Sequence, residues 1–285
     1  MPSLQKLFDK ALATSDRGNQ EEAIVLYEKI LAEKEDWAIV HYNLGLIYKY
    51  QNTWDKSYYH NKRAVALESD NAGAHWNLGI AATMLKDWKL ARQCWNFFGM
   101  KYELIDEDTA GNVGDSPVRI DPSNKAEVVW ARRICPARAV ILNIPCFAPK
   151  HRFRDMILND GAPNGYRMSD GVKYPVFDEL QHLEQSRYQT FSLKCRVLSE
   201  SQYKDLEGRC KAVDIEIQNW TTTVRLLCRK CSEGTPHEKH DEDLKKDVDE
   251  FLIGIASTSE ELLSRTLETW FEETGIDYYD QHSYE

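Results

Sequence analysis

The sequence has neither an excess of positive charge nor a long apolar run. It contains 36 Lys and Arg residues against 46 Asp and Glu residues, which gives a formal net charge of -10 at pH 7. Phosphate backbones and anionic membrane surfaces repel such a chain unless a local basic patch intervenes, and the sequence shows no such patch. No segment has the apolar length needed to cross a bilayer. We therefore expect neither nucleic acid nor a membrane as a partner.

Export signals and a disulfide framework are also missing. The segment 1–18 is amphipathic and helical in pattern, without the continuous apolar region or small-residue cleavage site of a signal peptide. Seven cysteines are scattered along the chain, and this odd number suits free thiols in a reducing compartment. Gly-rich phosphate-binding loops are absent as well. The sequence thus predicts a cytoplasmic protein.

What the sequence does have is a repetition with a period of 34 residues. Residues 38–71 laid over residues 72–105 align AIVHYNLGLIYK with AGAHWNLGIAAT. Five residues recur in register: His41, Asn43, Leu44, Gly45 and Trp54 return as His75, Asn77, Leu78, Gly79 and Trp88. A weaker copy begins near Leu4, so three copies fill the first third of the chain. The 285 residues and 42% hydrophobic content leave room for a second packed domain.

The period, the N-L-G step and the spacing of small residues resemble the tetratricopeptide repeat (TPR) over residues 4–105. This resemblance implies an antiparallel helix pair in each copy and a solenoid of three pairs. It also implies close contacts between small residues of the two helices, namely Ala11, Gly45 and Gly79 with Ala23, Ser57 and Ala91. The bulky position of the family is held by Tyr27 and Trp95, but Asn61 interrupts it in the middle copy.

In the TPR family the first helices of successive repeats line a concave groove, which implies a protein or peptide partner. The groove positions of the second and third copies are Ile39, Tyr42, Asn43, Leu46, Trp76, Asn77 and Ile80. The asparagines would bond a ligand backbone and the aromatic residues would anchor it, although these rings would pack equally well between helices. TPR proteins that clamp the carboxylate tail of heat-shock chaperones carry Lys and Asn where this chain has Phe8 and Leu12. We therefore do not expect a chaperone tail as the ligand.

The pattern changes after the repeats. Residues 106–124 are rich in acidic residues, Gly and Pro, which predicts a linker. Alternating apolar residues at 128–134, 139–145 and 153–160 predict strands, and the Gly-rich turn NDGAPNG separates them from VKYPVFDEL. A small antiparallel β unit over residues 125–185 follows from this pattern.

Residues 186–285 contain a strand, helix and strand pattern twice. Capping boxes predict helix starts at Ser199 with Gln202 and at Thr258 with Glu261, and the second helix is predicted to stop near Gly275. The two halves resemble the ferredoxin-like arrangement, with an extra strand TTTVRLLCRK between them. The predicted fold class is α+β: an all-α TPR solenoid of three helix pairs, followed by an α+β region over 125–285 with mainly antiparallel sheet.

The segment CRKCSEGTPHEKH supplies a candidate metal site. Its potential ligands are Cys228, Cys231, His237 and His240, a complete tetrahedral set for one structural zinc ion. Four protein ligands leave no open position for water, so a catalytic role is not expected. The alternative is that Cys228 belongs to the core side of a strand and that the histidines lie in a solvated, charged loop.

Two functions are compatible with these features. The first is an intracellular scaffold or regulatory protein that binds a protein partner through the TPR groove; the resemblance extends to bacterial regulators, including proteins that neutralise toxins. The alternative is a hydrolase or transferase in the C-terminal region, where His151, Asp155 and His182 could converge. Cys146 near His151 suggests a thiol nucleophile, but no third orienting group is apparent. The sequence assigns no catalytic residue.

Overall fold

The computed structural model describes residues 3–284 except 125, 147, 149, 170, 197, 222–249 and 277. The chain divides into two compact units, Met1–Ala110 and Gly111–Glu285. The candidate zinc ligands Cys228, Cys231, His237 and His240 lie outside the described residues, as does the extra strand from residue 222 onwards. In the described part of the chain, no helix is long and apolar enough to span a membrane.

The first unit consists of three consecutive helix pairs, as the repeat predicts. The helices are α1 (Leu4–Asp16), α2 (Gln20–Glu33), α3 (Ala38–Tyr50), α4 (Trp54–Leu67), α5 (Ala72–Met84) and α6 (Trp88–Phe97). Each helix packs against the next, and α3 also contacts α5. The predicted small residues are buried where the helices of a pair meet, and the Ser57 hydroxyl donates a hydrogen bond to the Gly45 carbonyl at 2.9 Å.

The histidine that recurs in the repeat closes the loop between repeats. His41 Nε2 lies 2.9 Å from the carbonyl oxygen of Glu35, and His75 Nε2 lies 3.0 Å from that of Ser69. A carbonyl only accepts, so the hydrogen is on Nε2 in both residues. In each repeat the histidine bonds the carbonyl six residues earlier in the chain. This shared bond explains why histidine recurs at this position, and it gives the residue a structural role.

The chain leaves α6 and is tied back to that helix by two side chains. The amide of Asn96 donates to the carbonyl of Tyr102 at 2.8 Å and accepts from its N–H at 2.7 Å. The buried guanidinium of Arg92 donates to the carbonyls of Ile105 and Glu107 and to the hydroxyl of Thr109. Residues 102–109, rich in acidic side chains, are thereby fixed against the last repeat.

The second unit begins with a closed five-stranded barrel. Its strands follow chain order: β1 (Gly114–Ile120), β2 (Glu127–Arg133), β3 (Arg138–Ile141), β4 (Met156–Ser169) and β5 (Val172–Glu184). Neighbours pair antiparallel, except that β1 and β5 close the barrel as a parallel pair. The core is built from small and branched residues, including Val118, Ile120, Val129, Ala139, Ile141 and Ile157.

Two features of the barrel differ from the pattern in the sequence. The segment expected to be a linker, 106–124, contains β1 from Gly114 onwards. The prediction of a turn at NDGAPNG was wrong, because this segment is part of strand β4. The register between β4 and β5 shifts between Asn159 and Pro163 and again before Tyr166, so bulges accommodate the Gly and Pro residues that indicated a turn.

Within the described residues, the rest of the unit is a four-stranded sheet with two helices. Its elements are β6 (Gln189–Arg196), α7 (Glu200–Ala212), β7 (Glu216–Asn219), β8 (Glu250–Ser257), α8 (Glu260–Thr274) and β9 (Tyr278–Tyr284). The strand order is β7-β8-β6-β9, and all neighbours are antiparallel. Residues of both helices and of three strands share one apolar core, which includes Leu193, Leu206, Ile217, Ile255, Leu263 and Trp270.

The helix ends of this sheet region largely follow the sequence. The capping box of Ser199 and Gln202 is present at the start of α7. At α8 the predicted cap was wrong by one residue, because Ser259 rather than Thr258 accepts a hydrogen bond, from the N–H of Leu262 at 3.2 Å. Gly275 ends α8 with a left-handed φ of 66°, as a glycine after the last helical turn does.

Candidate functional site

The seven groove residues lie on α3 and α5, which contact each other; we call this surface the first-helix face. It comprises Ile39, Tyr42, Asn43 and Leu46 of α3 with Trp76, Asn77 and Ile80 of α5. Ile80 is completely buried and Asn77 is 4% exposed. These two side chains therefore belong to the interior of the repeat unit and do not reach a partner in this conformation.

The two aromatic residues of the first-helix face pack against the repeats themselves. A Cβ atom added to Gly73 would lie 2.9 Å from the ring of Tyr42, so Tyr42 fills the space beside that glycine. The ring of Trp76 contacts those of Trp95 and Phe98 edge to face, with centroids 5.2 and 4.9 Å apart. The sequence left two roles open for these rings, anchoring a ligand or packing between helices. In the structure, both rings pack between helices.

Asn43 also has a partner inside the unit. Its amide donates to the hydroxyl of Tyr27 on α2 at 3.1 Å. Burial raises the pKa of Tyr27, so this hydroxyl stays protonated at neutral pH. The bond ties the first-helix face to the preceding helix, which gives Asn43 a structural role in addition to any contact with a ligand.

The apolar surface that remains on the first helices comes from other positions. Ile39 and Leu46 are half-buried, whereas Leu12, the repeat equivalent of Leu46 on α1, is 41% exposed. Tyr50, one turn beyond Leu46 on α3, is 57% exposed. Leu12 and Tyr50 were not among the predicted site residues, although the 34-residue register places Leu12 beside Leu46 in the alignment.

Four ionisable side chains converge in the barrel region. His182 Nε2 lies 2.9 Å from Asp155 Oδ2, and His151 Nε2 lies 2.8 Å from Glu179 Oε1. The two imidazole centroids are 5.1 Å apart at an angle of 49°. The structure therefore brings together His151, Asp155 and His182, which the sequence had suggested for an enzyme, and adds Glu179.

The backbone of the surrounding loops holds both carboxylates in place. Asp155 is completely buried and accepts hydrogen bonds from the N–H groups of Arg152 and Ser186, each at 2.7 Å. Glu179 accepts from the N–H of Asp121 at 2.8 Å. Each carboxylate is thus bonded both to an imidazole and to the backbone of a loop. The acid and the histidine of each pair are 27 or 28 positions apart in sequence, so no local motif connects them.

The hydrogen-bond pattern sets the chemistry of the two imidazoles. An ionised carboxylate only accepts, so each histidine carries hydrogen on Nε2, which leaves Nδ1 as the nitrogen able to take up a proton. The hydrogen bond to Asp155 raises the pKa of His182, whose side chain is 31% exposed. His151 is 6% exposed, and its Nδ1 has no hydrogen-bond partner within the described residues. A buried acid that orients an imidazole is the arrangement of a general base.

Neither a reactive thiol nor a metal-binding group of residues is found among the described residues of this cluster. Burial raises the pKa of Cys146 to about 12, so its thiol is protonated at neutral pH and is a poor nucleophile. His151 bonds Glu179 and not Cys146. Over the described ranges, no three His, Cys, Asp or Glu residues are arranged to hold a metal ion.

Comparison with known proteins gives structural likenesses only. No protein-family model matches the chain, and no curated protein matches it. A solved structure of the second TPR of Spaghetti (RPAP3), bound to the HSP90 peptide SRMEEVD, matches 34% of this chain and 89% of its own at 20% identity, with a TM-score of 0.32. A hypothetical protein from Neisseria gonorrhoeae matches 58% of this chain and 93% of its own at 14% identity, with a TM-score of 0.27. At these TM-scores neither likeness supports a conclusion about function.

Proposed function

We propose that this chain is an interaction protein, of scaffold or regulatory type, that binds a protein partner along the first helices of its repeats. The observation that supports this best is the apolar surface on α1 and α3, where Leu12 is 41% exposed and Tyr50 is 57% exposed. Half-buried Leu46 holds on α3 the repeat position that Leu12 holds on α1. Apolar side chains at one repeat position of successive first helices, as at Leu12 and Leu46, are what an amphipathic segment of a partner contacts.

The chemistry of this surface favours an apolar partner segment over an acidic tail. Phe8 stacks on Trp37 with centroids 5.4 Å apart, so the position that a carboxylate clamp would need for a lysine is an aromatic ring. Binding would then depend on area removed from water, and it would depend only weakly on salt.

The test uses peptides selected from a display library against the full-length chain. Substituting Tyr42 or Trp76 would disturb helix packing, so the informative variants are Leu12→Ser and Tyr50→Ala. Each should weaken the selected peptides by about tenfold, the usual effect of losing an interface anchor. Circular dichroism should show an unchanged helical content.

Matched controls lie on the second helices. Val25 on α2 is 48% exposed and Tyr59 on α4 is 52% exposed, close to the exposure of the residues tested. Val25→Ser and Tyr59→Ala should leave peptide affinity within a factor of about two. If both sets of variants lose peptide affinity equally, or if none of the four substitutions changes the affinity, the first helices are not the binding surface.

Three narrower proposals accompany this one. The five cysteines within the described residues are free, which supports a reducing, cytoplasmic setting. A regulator that neutralises a bacterial toxin is the specific role suggested by resemblance alone, and co-purification with the product of a neighbouring gene would test it. For the C-terminal sheet we propose the ferredoxin-like arrangement, supported by the order β7-β8-β6-β9 with a helix after β6 and another after β8.

A second candidate, a hydrolase or transferase, has one observation in its favour. The imidazole of His182 is oriented by buried Asp155, lies beside His151, and reaches solvent. It would act as the general base that takes a proton from water or from an acceptor hydroxyl. Hydrolysis of p-nitrophenyl acetate and bis(p-nitrophenyl) phosphate by the full chain, compared with His182→Gln and with His75→Gln as control, tests it. Equal rates for wild type and His182→Gln would exclude this role for His182 with these esters.

A further inference from the structure

The wall of the barrel has a gap beside β2. This strand pairs with β1 along its whole length, but it pairs with β3 only over Ala131–Arg133. The last strand-like contact on that side is the hydrogen bond from the N–H of Leu142 to the carbonyl of Trp130. From Trp130 back to Glu127, the edge of β2 therefore has no neighbouring strand among the described elements.

Side chains occupy the place of the missing strand. Asn143 accepts a hydrogen bond from the N–H of Trp130 through Oδ1 at 2.6 Å. Arg167, from β4, donates through Nη1 to the carbonyl of Val128 at 3.3 Å. Because alternate residues of a strand direct their backbone groups to the same side, Val128 and Trp130 both face this gap. The amide nitrogen of Asn143 remains to donate elsewhere.

The gap is a cavity of about 190 Å³ with a mixed polar and aromatic lining. Its walls include Glu127, Trp130, Asn143, Arg167 and Gln218. This volume equals that of roughly six liquid waters. It is smaller than the roughly 300–1,000 Å³ of sites for drug-sized ligands, so only a small molecule fits.

The lining is fixed before any ligand arrives. Glu127, which is 3% exposed, accepts from the N–H of Cys146 with its two oxygens at 3.1 and 2.9 Å. Gln218 accepts from the N–H of Ile144 at 2.9 Å. The ring of Trp130 meets that of Tyr174 edge to face, with centroids 4.9 Å apart at 81°. Prior ordering of this kind lowers the entropy cost of binding.

One acidic and one basic side chain share this small space. The guanidinium of Arg167 lies 5.9 Å from the centroid of the Trp130 ring. Glu127 also lines the cavity, at the start of β2, and its carboxylate is bonded to the N–H of Cys146. A guanidinium has five N–H donors and a carboxylate about four acceptor positions, so both can bind a ligand while they keep their internal partners. A ligand that carries both charges matches this pair, whereas a simple anion or cation would meet a like charge.

We propose that the cavity binds one free α-amino acid as a zwitterion. Its carboxylate accepts from Arg167 and from the Nδ2 amide of Asn143, its ammonium group donates to Glu127, and its side chain packs on the ring of Trp130. Opposite charges at the two ends give orientation, and the aromatic ring favours an apolar side chain. This site lies in the second unit and is independent of the first-helix face.

Calorimetric titration of the full chain with each of the common α-amino acids is the direct test. At least one should bind with one site per chain and a Kd between ~1 µM and ~1 mM. For that amino acid, the decarboxylated amine and the carboxylic acid lacking the amino group should each bind at least about tenfold more weakly, because each lacks one of the two charged groups that the site would contact. Equal binding of either analogue, or no binding of any amino acid at millimolar concentration, overturns the proposal.

Variants at Arg167 assign the binding to this cavity. Arg167 is half-buried, and Arg167→Gln should weaken binding at least about tenfold, while Arg167→Lys keeps the charge and should retain part of the affinity. The matched control is Lys173→Gln, which removes an exposed positive charge from the neighbouring strand, where Lys173 lies over the ring of Tyr166. A similar loss in the Lys173 variant, or undiminished binding in a folded Arg167→Gln protein, would place the ligand elsewhere and refute the site.

Discussion

The side chain of Asn61 lies directly on Gly45: a Cβ atom added to residue 45 would be 2.4 Å from Asn61 Nδ2. In the next repeat the same contact joins Trp95 to Gly79, where an added Cβ would be 2.5 Å from the ring. Asn61 therefore fulfils with an amide the role that Trp95 fulfils with an indole. The amide is held by a bond from Nδ2 to the carbonyl of Ser57 at 2.8 Å, while its Oδ1 has no hydrogen-bond partner within the described residues.

We expect Gly45→Ala and Gly79→Ala to destabilise the repeat unit by about 1–3 kcal/mol each, the usual cost of overpacking a filled core. The loss should be greater for Gly79, since the ring of Trp95 has less freedom to move than an amide. Urea unfolding followed by circular dichroism measures both. Gly208→Ala on α7 is the control, because nothing lies within 4 Å of its added Cβ. It should be neutral or stabilising, since alanine favours helix. No loss in the repeat variants would contradict the tight contact.

The repeats were predictable because each contact recurs at a fixed spacing. Gly45 and Gly79 identify the crossing point of a helix pair without any knowledge of distant residues. The barrel was not predictable in this way, since its closure depends on the pairing of Val118 with Phe177, far apart in sequence. The bulges of β4 are the clearest case: glycine and proline indicated a turn, and only the register with β5 shows that the strand continues past Pro163.

In the candidate sites too, features that depend on local spacing were predictable and features that depend on distant residues were not. The residues proposed for the groove lie on α3 and α5, but burial in a solenoid depends on the neighbouring repeat, so the full burial of Ile80 could not be inferred from its position alone. His151 and His182 were named together as residues that could converge. Their carboxylate partners are set by loops, and the bond of Glu179 to the backbone of Asp121 has no signal in the sequence.

The paired histidines of the second repeat should make the stability of the repeat unit fall in acid. His41 and His60 face each other with their Nδ1 atoms 3.0 Å apart. Burial lowers the pKa of His60 from 6.5 to about 4, and the charges of His41 and Lys56 add to that effect. Burial, with the charge of Arg63, also lowers the pKa of His41, against the bond to Glu35. A depressed pKa means that the unfolded chain takes up protons first, so stability present above pH 6.5 is lost as pH falls towards 4.

His60→Gln should therefore flatten this acid dependence, with a difference of about 2 kcal/mol in the free energy of unfolding across that range. Denaturant unfolding of wild type and variant at several pH values measures the difference. Tyr59→Leu is a suitable comparison, because Tyr59 packs on both imidazoles but has no imidazole of its own. If the pH dependence of His60→Gln equals that of wild type, His60 is not the residue responsible.

Arg92 should control whether residues 102–109 stay on α6. Its guanidinium is the donor for Ile105, Glu107 and Thr109, and charged hydrogen bonds of this kind contribute more than neutral ones. In Arg92→Ala we expect cleavage by a glutamate-specific protease after Glu103 and Glu107 to become at least about tenfold faster, because local opening costs less. Lys89→Ala, on an exposed position of the same helix, should leave the cleavage rate unchanged. Slow cleavage in Arg92→Ala would mean that Asn96 alone holds the segment.

The cysteine and histidine segment outside the described residues should bind one zinc ion. Cys228, Cys231, His237 and His240 provide two thiolates and two imidazoles within thirteen consecutive residues, the donor set that binds structural zinc at about 2.1–2.3 Å. A segment so rich in charged residues has little apolar area to bury, so a metal would supply the folding energy that a core cannot. Protein purified without a histidine tag should then contain about one zinc per chain, as four ligands of this type hold one ion. Cys231→Ser should lose that zinc, whereas Cys135→Ser, which changes a free and half-buried thiol of the barrel unit, should keep it. Metal-free wild-type protein, or zinc retained equally in both variants, would leave these four residues without a metal role.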